Sequence, residues 1–209
     1  HKENTHGDLG CDMKLFVAIY DDCALLSHFL SHYTSLGIDQ FHIAADARIA
    51  PVVRARMRGV NARLRDDLVV ADSFQGGTKA VTQMRLEYSD NDEWVLIADL
   101  DEFNVLEQPL AETISIADAE HANVVRGRMI DRVSEDGSLP PIDEGTDLWS
   151  TFPRKCRLTA LLQGSVDYKG VLVRGHLPAT MAHHEFGGER LSRQKTQIHH
   201  FKWSSRAEA

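Results

Sequence analysis

A short apolar run that ends in three carboxylates constrains this chain more than any other feature of its sequence. The run covers residues 94–98, and Asp99, Asp101 and Glu102 follow it directly. Such a run predicts a strand that is buried on both faces. In extended backbone Asp99 and Asp101 project to the same side, because they are two residues apart. Their mutual repulsion needs a compensating partner, and a hard divalent ion such as Mg2+ or Mn2+ would supply it.

The first half of the chain predicts strands that alternate with helices. The apolar runs that indicate strands are residues 14–20, 41–45, 68–71 and 94–98. Apolar residues at helical spacing occupy residues 25–36, 52–64 and 81–88. This alternation predicts a parallel sheet wrapped by helices.

Each predicted strand of the first half ends in an aspartate: Asp21 or Asp22, Asp46, Asp72 and Asp99. In a parallel sheet these ends share one edge, and ligands bind at that edge of open α/β sheets. A single aspartate there is equally typical of a loop or a helix N-cap. The whole set indicates a ligand-binding edge.

The second half is less regular. It predicts a helix at residues 109–122, strands at 124–129, 170–174 and 197–203, and a long loop at 134–150 that would face a substrate. Residues 1–12 are expected to be a disordered leader or tag remnant, and residues 204–209 a tail. No internal repeat is present.

Histidines are concentrated near the end of the sequence, where His199 and His200 are adjacent. In a strand these two side chains face opposite ways. His199 shares its side with Phe201, and His200 shares its side with Lys202. We therefore expect His200 to face a polar site, where a neutral imidazole would complete a metal shell begun by Asp101. A structural or surface role remains the alternative.

The net charge of −8, from 23 basic and 31 acidic residues, argues against a protein that binds nucleic acid by neutralising its phosphates. A nucleotide ligand needs only a few local cations. The candidates for contacts with phosphate oxygens are Lys169, Arg193, Lys195 and Lys202.

The three cysteines, Cys11, Cys23 and Cys156, are too few and too scattered to form a disulfide framework. Reduced thiols are typical of the cytoplasm, which is the expected compartment. No apolar run approaches the roughly 20 residues of a transmembrane segment.

Several segments together resemble the GT-A-fold glycosyltransferases, in particular the family-2-like group. Residues 26–41 are similar to the first helix of that group and the approach to its second strand. Residues 94–103 resemble the Asp-x-Asp segment with its following Glu-Phe, and residues 200–205 resemble the closing His-aromatic segment with its serine. Residues 169–173 are similar to the strand before it. The likeness covers roughly residues 14–205.

The resemblance implies an α/β fold with a GT-A-like (Rossmann-like), mostly parallel sheet flanked by helices and a mixed C-terminal half. A single domain would span residues 13–203. Residues 13–103 would bind a nucleoside-diphosphate sugar, UDP-linked by preference, and residues 104–203 would bind the acceptor. The implied activity is a metal-dependent, hexosyltransferase-type transfer of a sugar to an acceptor hydroxyl. The acceptor is a glycan, lipid, protein or small molecule.

Individual roles follow from the same resemblance. The residues implied to contact the donor are Asp21, Asp46, Asp99, Lys169 and Lys202. The residues implied to bind Mn2+ or Mg2+ are Asp99, Asp101 and His200. The sequence departs from the group at Asp21-Asp22, where many relatives carry an Asn-Glu-like turn, and at Ala47-Arg48, so the nucleobase stays open.

The family-2-like group implies inversion at the sugar carbon, and an inverting enzyme needs a carboxylate base. The candidates are Glu185 and Asp131, and Glu189 ranks third. Each of the three is equally well explained as an ordinary loop carboxylate.

Three other functions stay open. A haloacid-dehalogenase-like phosphatase would use Asp99 as its nucleophile. That segment normally opens such a domain, however, and Phe103 stands where Thr or Val is expected. A nucleotidyltransferase would also use paired aspartates, on two metal ions. A non-catalytic sugar-nucleotide-binding domain would keep the fold without turnover.

Overall fold

The computed structural model describes residues 13–20, 23–58, 63–64, 69–71, 74–164, 167–179 and 183–205. The strands are β1 (Lys14–Ile19), β2 (Gln40–Asp46), β3 (Arg63–Leu64), β4 (Val69–Ala71), β5 (Trp94–Ile97), β6 (Glu102–Val105), β7 (Val124–Val133), β8 (Arg154–Cys156), β9 (Tyr168–Arg174) and β10 (Thr196–His200). The helices are α1 (Leu26–Ser35), α2 (Ala50–Met57), α3 (Phe74–Tyr88), α4 (Leu110–Ala119), α5 (Leu148–Thr151) and α6 (Leu158–Gln163).

These strands form one sheet in the order β3-β2-β1-β5-β9-β7-β10-β6, with β4 beside β2 and β8 beside β7. The strands of the first half pair in parallel. Strand β9 is antiparallel to β5 and β7, and β10 is parallel to β7 but antiparallel to β6. The predicted alternation in the first half is confirmed, and the sheet as a whole is mixed, with helices flanking it.

Strand β5 is buried on both faces, as its apolar run predicts. Trp94 and Leu96 belong to one apolar cluster, whereas Val95 and Ile97 belong to the cluster on the other side. Strand β1 alternates in the same way between the two clusters. Two apolar layers, one on each face, therefore enclose the centre of the sheet.

Helix α1 packs one apolar face on the sheet and holds β6. The buried residues of that face recur at helical spacing: Leu26, Phe29, Leu30 and Tyr33. Gly37 follows the helix with a φ of +93°, which favours glycine. The Tyr33 hydroxyl donates to the carbonyl of Glu102 at 2.8 Å and accepts from the amide of Asn104 at 3.2 Å. Helix α1 is thus hydrogen-bonded to β6, the strand that follows the acidic triplet.

Two expectations about individual elements are wrong. The apolar spacing predicted a helix through residue 64, but α2 ends at Met57, and Arg63–Leu64 pairs with β2 as a short strand. The segment after Asp101 was not predicted as a strand, yet Glu102–Val105 forms β6 beside β10. Both errors arise because pairing with a distant strand overrides local spacing.

The end of the described chain is packed against the loop at residues 134–150. Ser204 is buried, and the amide of Ser205 donates to the carbonyl of Pro140 at 3.3 Å. Residues 1–12 and 206–209 lie outside the described residues. None of the described helices combines the length and the apolar character that crossing a lipid bilayer requires. Cys23 and Cys156 are not joined in a disulfide among the described residues, and Cys11 lies outside them.

Candidate functional site

The acidic triplet forms a tight turn between β5 and β6. The amide of Glu102 donates to the carbonyl of Asp99 at 3.0 Å, and the amide of Asp99 donates to the Glu102 carboxylate at 2.9 Å. Glu102 is buried, whereas the side chains of Asp99 and Asp101 are 46% and 25% exposed. The carboxylate of Glu102 therefore stabilises the turn, whereas those of Asp99 and Asp101 reach solvent.

Lys169 neutralises the inner side of this turn. Strand β9 runs antiparallel beside β5, which brings the buried Nζ of Lys169 within 2.5 Å of Asp99 and 2.8 Å of Glu102. Burial alone would lower the pKa of Lys169, but the two carboxylates outweigh it and raise that pKa above its ordinary value. Burial also raises the pKa of Glu102, against the attraction of Lys169. Lys169, which was expected to contact phosphate, is thus paired with Asp99 and Glu102 instead.

His200 lies between two carboxylates. Its Nε2 is 3.4 Å from Oδ2 of Asp101, and its Nδ1 is 2.9 Å from Oδ1 of Asp131. Burial alone would lower the pKa of His200, but Asp101, Asp131 and Glu102 together raise it to about 10. The imidazole is therefore protonated at neutral pH when only protein atoms surround it.

Asp131 is fully engaged inside the protein. One carboxylate oxygen accepts from the amide of Thr159 at 2.7 Å, and the other accepts from the Thr159 hydroxyl at 2.6 Å as well as from His200. Burial would raise the pKa of Asp131, but these hydrogen bonds outweigh it and lower the pKa. With 1% of its surface exposed, Asp131 is placed to orient His200 and does not face an acceptor.

The neighbouring His199 faces the opposite side of the sheet. Its ring packs against Trp149 with centroids 5.0 Å apart, and its Nε2 is 3.1 Å from the side-chain oxygen of Gln197. Burial and the charge of Arg132 lower the pKa of His199 to about 4. His199 and His200 therefore have different surroundings, in line with the alternation of side chains along a strand.

Asp46 ends β2 on the same sheet edge as Asp99. Its two oxygens accept from the amide, Nε and Nη2 of Arg48 at 2.8, 2.8 and 3.0 Å. These hydrogen bonds hold the pKa of Asp46 below its ordinary value. The other aspartates expected at this edge lie outside the described residues: Asp21, Asp22 and Asp72.

The remaining candidates are not gathered around His200. The Nζ of Lys202 donates to the side-chain oxygen of Gln163 at 2.9 Å on the exposed surface. Glu185 is exposed. Glu189 accepts from Arg126 at 2.6 Å, so it belongs to a separate ion pair.

His183 lies beside Asp99, although no role was predicted for it from the sequence. Both residues line a small cavity next to the end of β5. The Nε2 of His183 is 3.1 Å from the Thr82 hydroxyl, and its φ of +59° lies in the left-handed region. Burial, followed by the charge of Lys169, lowers the pKa of His183 to about 4. A strained backbone of this kind is common at functional sites, and no local sequence pattern signals it.

The described residues contain no ready-made metal centre, that is, no group of three or more His, Cys, Asp or Glu side chains spaced to hold an ion. The separation of Asp101 and His200 nevertheless fits two ligands of one ion, because adjacent ligands of an octahedral Mg2+ lie about 3 Å apart. Asp131 accepts the Nδ1 proton of His200, which leaves Nε2 to face Asp101. The donor set fits a hard divalent ion that takes its other ligands from phosphate and water.

No protein-family model matches the chain, and no curated protein matches it. Among solved structures, a 4-diphosphocytidyl-2C-methyl-D-erythritol synthase from Anaerococcus prevotii is 13% identical, with a TM-score of 0.42, over 79% of this chain and 72% of that one. HddC from Yersinia pseudotuberculosis is 7% identical, with a TM-score of 0.43, over 78% and 74%. A mannose-6-phosphate isomerase from Helicobacter pylori is 10% identical, with a TM-score of 0.45, over 93% and 100%. Similarities at this level carry no argument about the reaction.

Proposed function

We propose that this chain is a metal-dependent glycosyltransferase that takes its sugar from a nucleoside diphosphate, with a GT-A-like arrangement of its first half. The observation that carries the proposal is the approach of Asp101 and His200 to 3.4 Å at the carboxyl end of β5. The two residues come from distant parts of the sequence, and the sheet order alone brings them together. Their spacing and chemistry suit one divalent ion at the ligand edge of the sheet.

The charges around the turn support a cation there. Among the described residues, Lys169 pairs with Asp99 and Glu102, and His200 lies between Asp101 and Asp131. A Mn2+ or Mg2+ ion would add positive charge beside the two carboxylates that reach solvent, those of Asp99 and Asp101. A Mg2+ ion is usually bound by one or two protein carboxylates, with phosphate and water completing its shell. The small number of protein ligands therefore suits an ion that arrives with a diphosphate.

Asp101 and His200 would hold the ion directly, and Asp99 would do so directly or through water. When bound, the ion would stabilise the charge that develops on the leaving diphosphate. Asp131 would keep the Nδ1 proton on His200, and Lys169 would keep Asp99 in place. Asp131 would not act as the acceptor base, because both of its oxygens are already occupied.

Asp46 would be the carboxylate nearest the nucleobase or ribose of the donor. Its present partner is the guanidinium of Arg48, whose side chain is 72% exposed. Because the arginine is exposed, its guanidinium can turn toward solvent while Asp46 stays at the end of β2. The pair would therefore open when a ribose hydroxyl takes its place.

Nucleotidyl transfer is the second candidate. Such an enzyme would place a nucleoside triphosphate on the same carboxylates and release pyrophosphate. Among the solved structures, the synthase is named for a diphosphocytidyl product, although its TM-score is too low to decide between the two reactions. The bond that breaks distinguishes them: glycosyl transfer frees a nucleoside diphosphate from a nucleotide sugar, and nucleotidyl transfer frees pyrophosphate from a triphosphate.

The deciding experiment is a thermal-shift panel of nucleoside diphosphates and nucleotide sugars, each with and without Mn2+. We expect at least one of them, UDP or UDP-sugar first, to raise the melting temperature only when Mn2+ is present. Asp101→Asn and His200→Gln should remove that shift. Asp90→Asn is the matched control, since it removes one exposed carboxylate far from the turn. The proposal fails if no nucleotide raises the melting temperature with metal present.

A turnover assay completes the test. The protein is incubated with Mn2+ and either a UDP-sugar or a triphosphate with a sugar phosphate, and the released UDP or pyrophosphate is measured. Slow release of UDP that disappears in Asp101→Asn supports glycosyl transfer. Release of pyrophosphate with no UDP would replace the proposal with nucleotidyl transfer. Nucleotide binding without release of either product would indicate a non-catalytic domain.

A further inference from the structure

A basic groove of about 820 Å³ lies on the other side of the strands that carry His200 and Asp131. His200 is paired with Asp131 between β10 and β7, whereas Gln197, which lines the groove, is paired with Arg128. The two pairs are an odd number of residues apart, so their side chains lie on opposite faces of the sheet. The groove is therefore separate from the site proposed for metal and nucleotide.

Five cations line this groove: Arg126, Arg128, Lys155, Arg157 and Lys195. Two of them are neutralised, Arg126 by Glu189 and Arg157 by Asp167. The other three have no side-chain hydrogen bond or ion pair among the described residues. Glu107 also lines the groove, so three unpaired cations share it with one carboxylate. In a chain of net charge −8, this local excess of positive charge attracts an anion.

The groove also offers apolar surface beside its cations. Tyr168 and Leu191 line it and are 50% and 47% exposed, which is high for such large side chains. Its volume falls within the range of about 300–1,000 Å³ that organic ligands occupy, and it is far larger than one phosphate requires. The ligand that fits therefore combines several negative charges with rings that pack on the tyrosine.

We propose that the basic groove binds an anionic glycan, a chain of sugar rings that carry carboxylate or sulfate groups. Arg128, Lys155 and Lys195 would contact the anionic groups, and Tyr168 would pack against a ring. The net charge of the chain disfavours nucleic acid, whose binding depends on neutralising many phosphates. The choice of a glycan over an acidic peptide rests on the proposed glycosyl transfer. A polysaccharide acceptor would contact the protein through several sugar rings besides the one that reacts.

The test is direct binding, without nucleotide or metal, at about 0.15 M salt so that exposed charges are screened as in cells. The probes are an oligogalacturonate, a sulfated oligosaccharide and a neutral cello-oligosaccharide of equal length. Single-stranded DNA and poly-glutamate represent the other anions. We expect one or both anionic glycans to bind, and the neutral chain to bind at least about tenfold more weakly because it lacks charge-assisted hydrogen bonds.

A pair of double variants locates the site. Arg128→Gln/Lys195→Gln should weaken glycan binding about tenfold, because each lost contact is a charge-assisted hydrogen bond. The matched control is Arg54→Gln/Arg58→Gln, which removes the same charge from two exposed arginines in α2 and directly after it and should leave the affinity unchanged. Both double variants replace exposed residues, and circular dichroism checks that each is folded.

The proposal is overturned if neither anionic glycan binds, if the two double variants bind equally well, or if DNA or poly-glutamate binds more tightly than any glycan. Its failure is distinguishable from failure of the proposed function. A protein that binds nucleotide with Mn2+ but no glycan would lose only the groove assignment. A protein that binds glycan in the groove but no nucleotide would lose only the transferase assignment.

Discussion

Asp131 binds the imidazole of His200 on the side opposite Asp101, with its Oδ1 2.9 Å from Nδ1 of the ring. The two residues occupy paired positions on β10 and β7, so the backbone ladder of the sheet sets their approach. Thr159 fixes the carboxylate in turn through its amide and its hydroxyl. The direction in which Nε2 points is thus determined by the fold before any ion binds.

Replacing Asp131 with asparagine tests this arrangement. Asp131→Asn keeps the shape but removes the buried charge, so we expect a loss of about 3 kcal/mol in the free energy of unfolding. We also expect Mn2+ affinity to fall by about 10- to 100-fold, as is usual when a carboxylate behind a metal-bound histidine is lost. Urea unfolding and calorimetric titration measure the two effects, with Asp90→Asn as control. A loss of stability at unchanged Mn2+ affinity would refute the link between Asp131 and the metal.

The stability of the metal-free protein should fall as the pH rises above neutrality. The pKa of His200 is raised from its ordinary value of 6.5 to about 10 in the folded state. A raised pKa contributes stability that is complete below 6.5 and is lost as the pH rises through the folded value. Urea unfolding at a series of pH values between 6.5 and 10 measures this decline. We expect His200→Gln to flatten it, and an equal slope in the variant would contradict the assignment.

The same protein should lose stability on the acid side for the opposite reason. Burial lowers the pKa values of His183 and His199 from 6.5 to about 4. Between these values the unfolded chain binds more protons than the folded one, so stability falls as the pH drops from 6.5 toward 4. His199→Gln should reduce that fall in unfolding experiments. An equal fall in stability in wild type and His199→Gln would contradict the assignment to His199.

Loss of the lysine behind the acidic turn should be severe. Lys169→Met leaves Glu102 buried without a counter-charge, which we expect to cost about 3–5 kcal/mol in denaturant unfolding. Adding Glu102→Gln should restore part of that stability. The matched control is Lys14→Met, which breaks the more exposed pair with Glu93 at 2.7 Å and should cost less than about 1 kcal/mol. Equal losses in the two single variants would show that burial of the pair is unimportant.

Close packing between β7 and β10 predicts a glycine effect next to the site. A Cβ at Gly127 would lie 2.5 Å from Cγ1 of Ile198 and 2.7 Å from Cγ2 of Val171. Gly127→Ala should therefore destabilise the protein by about 1–3 kcal/mol, and Ile198→Ala should relieve part of this in the double variant. Gly145→Ala is the control, because its nearest neighbour is 3.6 Å away. Thermal unfolding of the variants provides the comparison.

Local patterns were sufficient to predict the acidic edge of the sheet. The apolar run before Asp99 identified a strand buried on both faces, because successive side chains of a strand point to opposite faces and all those of the run are apolar. Strand parity alone separated the surroundings of His199 and His200. The parallel first half followed from the same reasoning, since each strand is joined to the next through a helix.

The roles of Lys169 and Asp131 depended on strand order, which no local pattern contains. Lys169 was expected near phosphate, but β9 runs antiparallel beside β5 and brings its Nζ to Asp99. Asp131 was expected near an acceptor, but β7 lies directly beside β10 and pairs it with His200. Glu102 was visible as a third carboxylate, yet its bond to the amide of Asp99 requires the turn geometry.

The position of β10 has a consequence for the synthesis of the protein on the ribosome. This strand is inserted between β6 and β7, although residues 196–200 are translated long after both neighbours. Until they emerge, the facing edges of β6 and β7 have no partner, and exposed strand edges recruit other chains. Strand β10 therefore supplies His200 and also closes the gap between β6 and β7, so the pairing that places His200 beside Asp131 is the same pairing that covers these two strand edges.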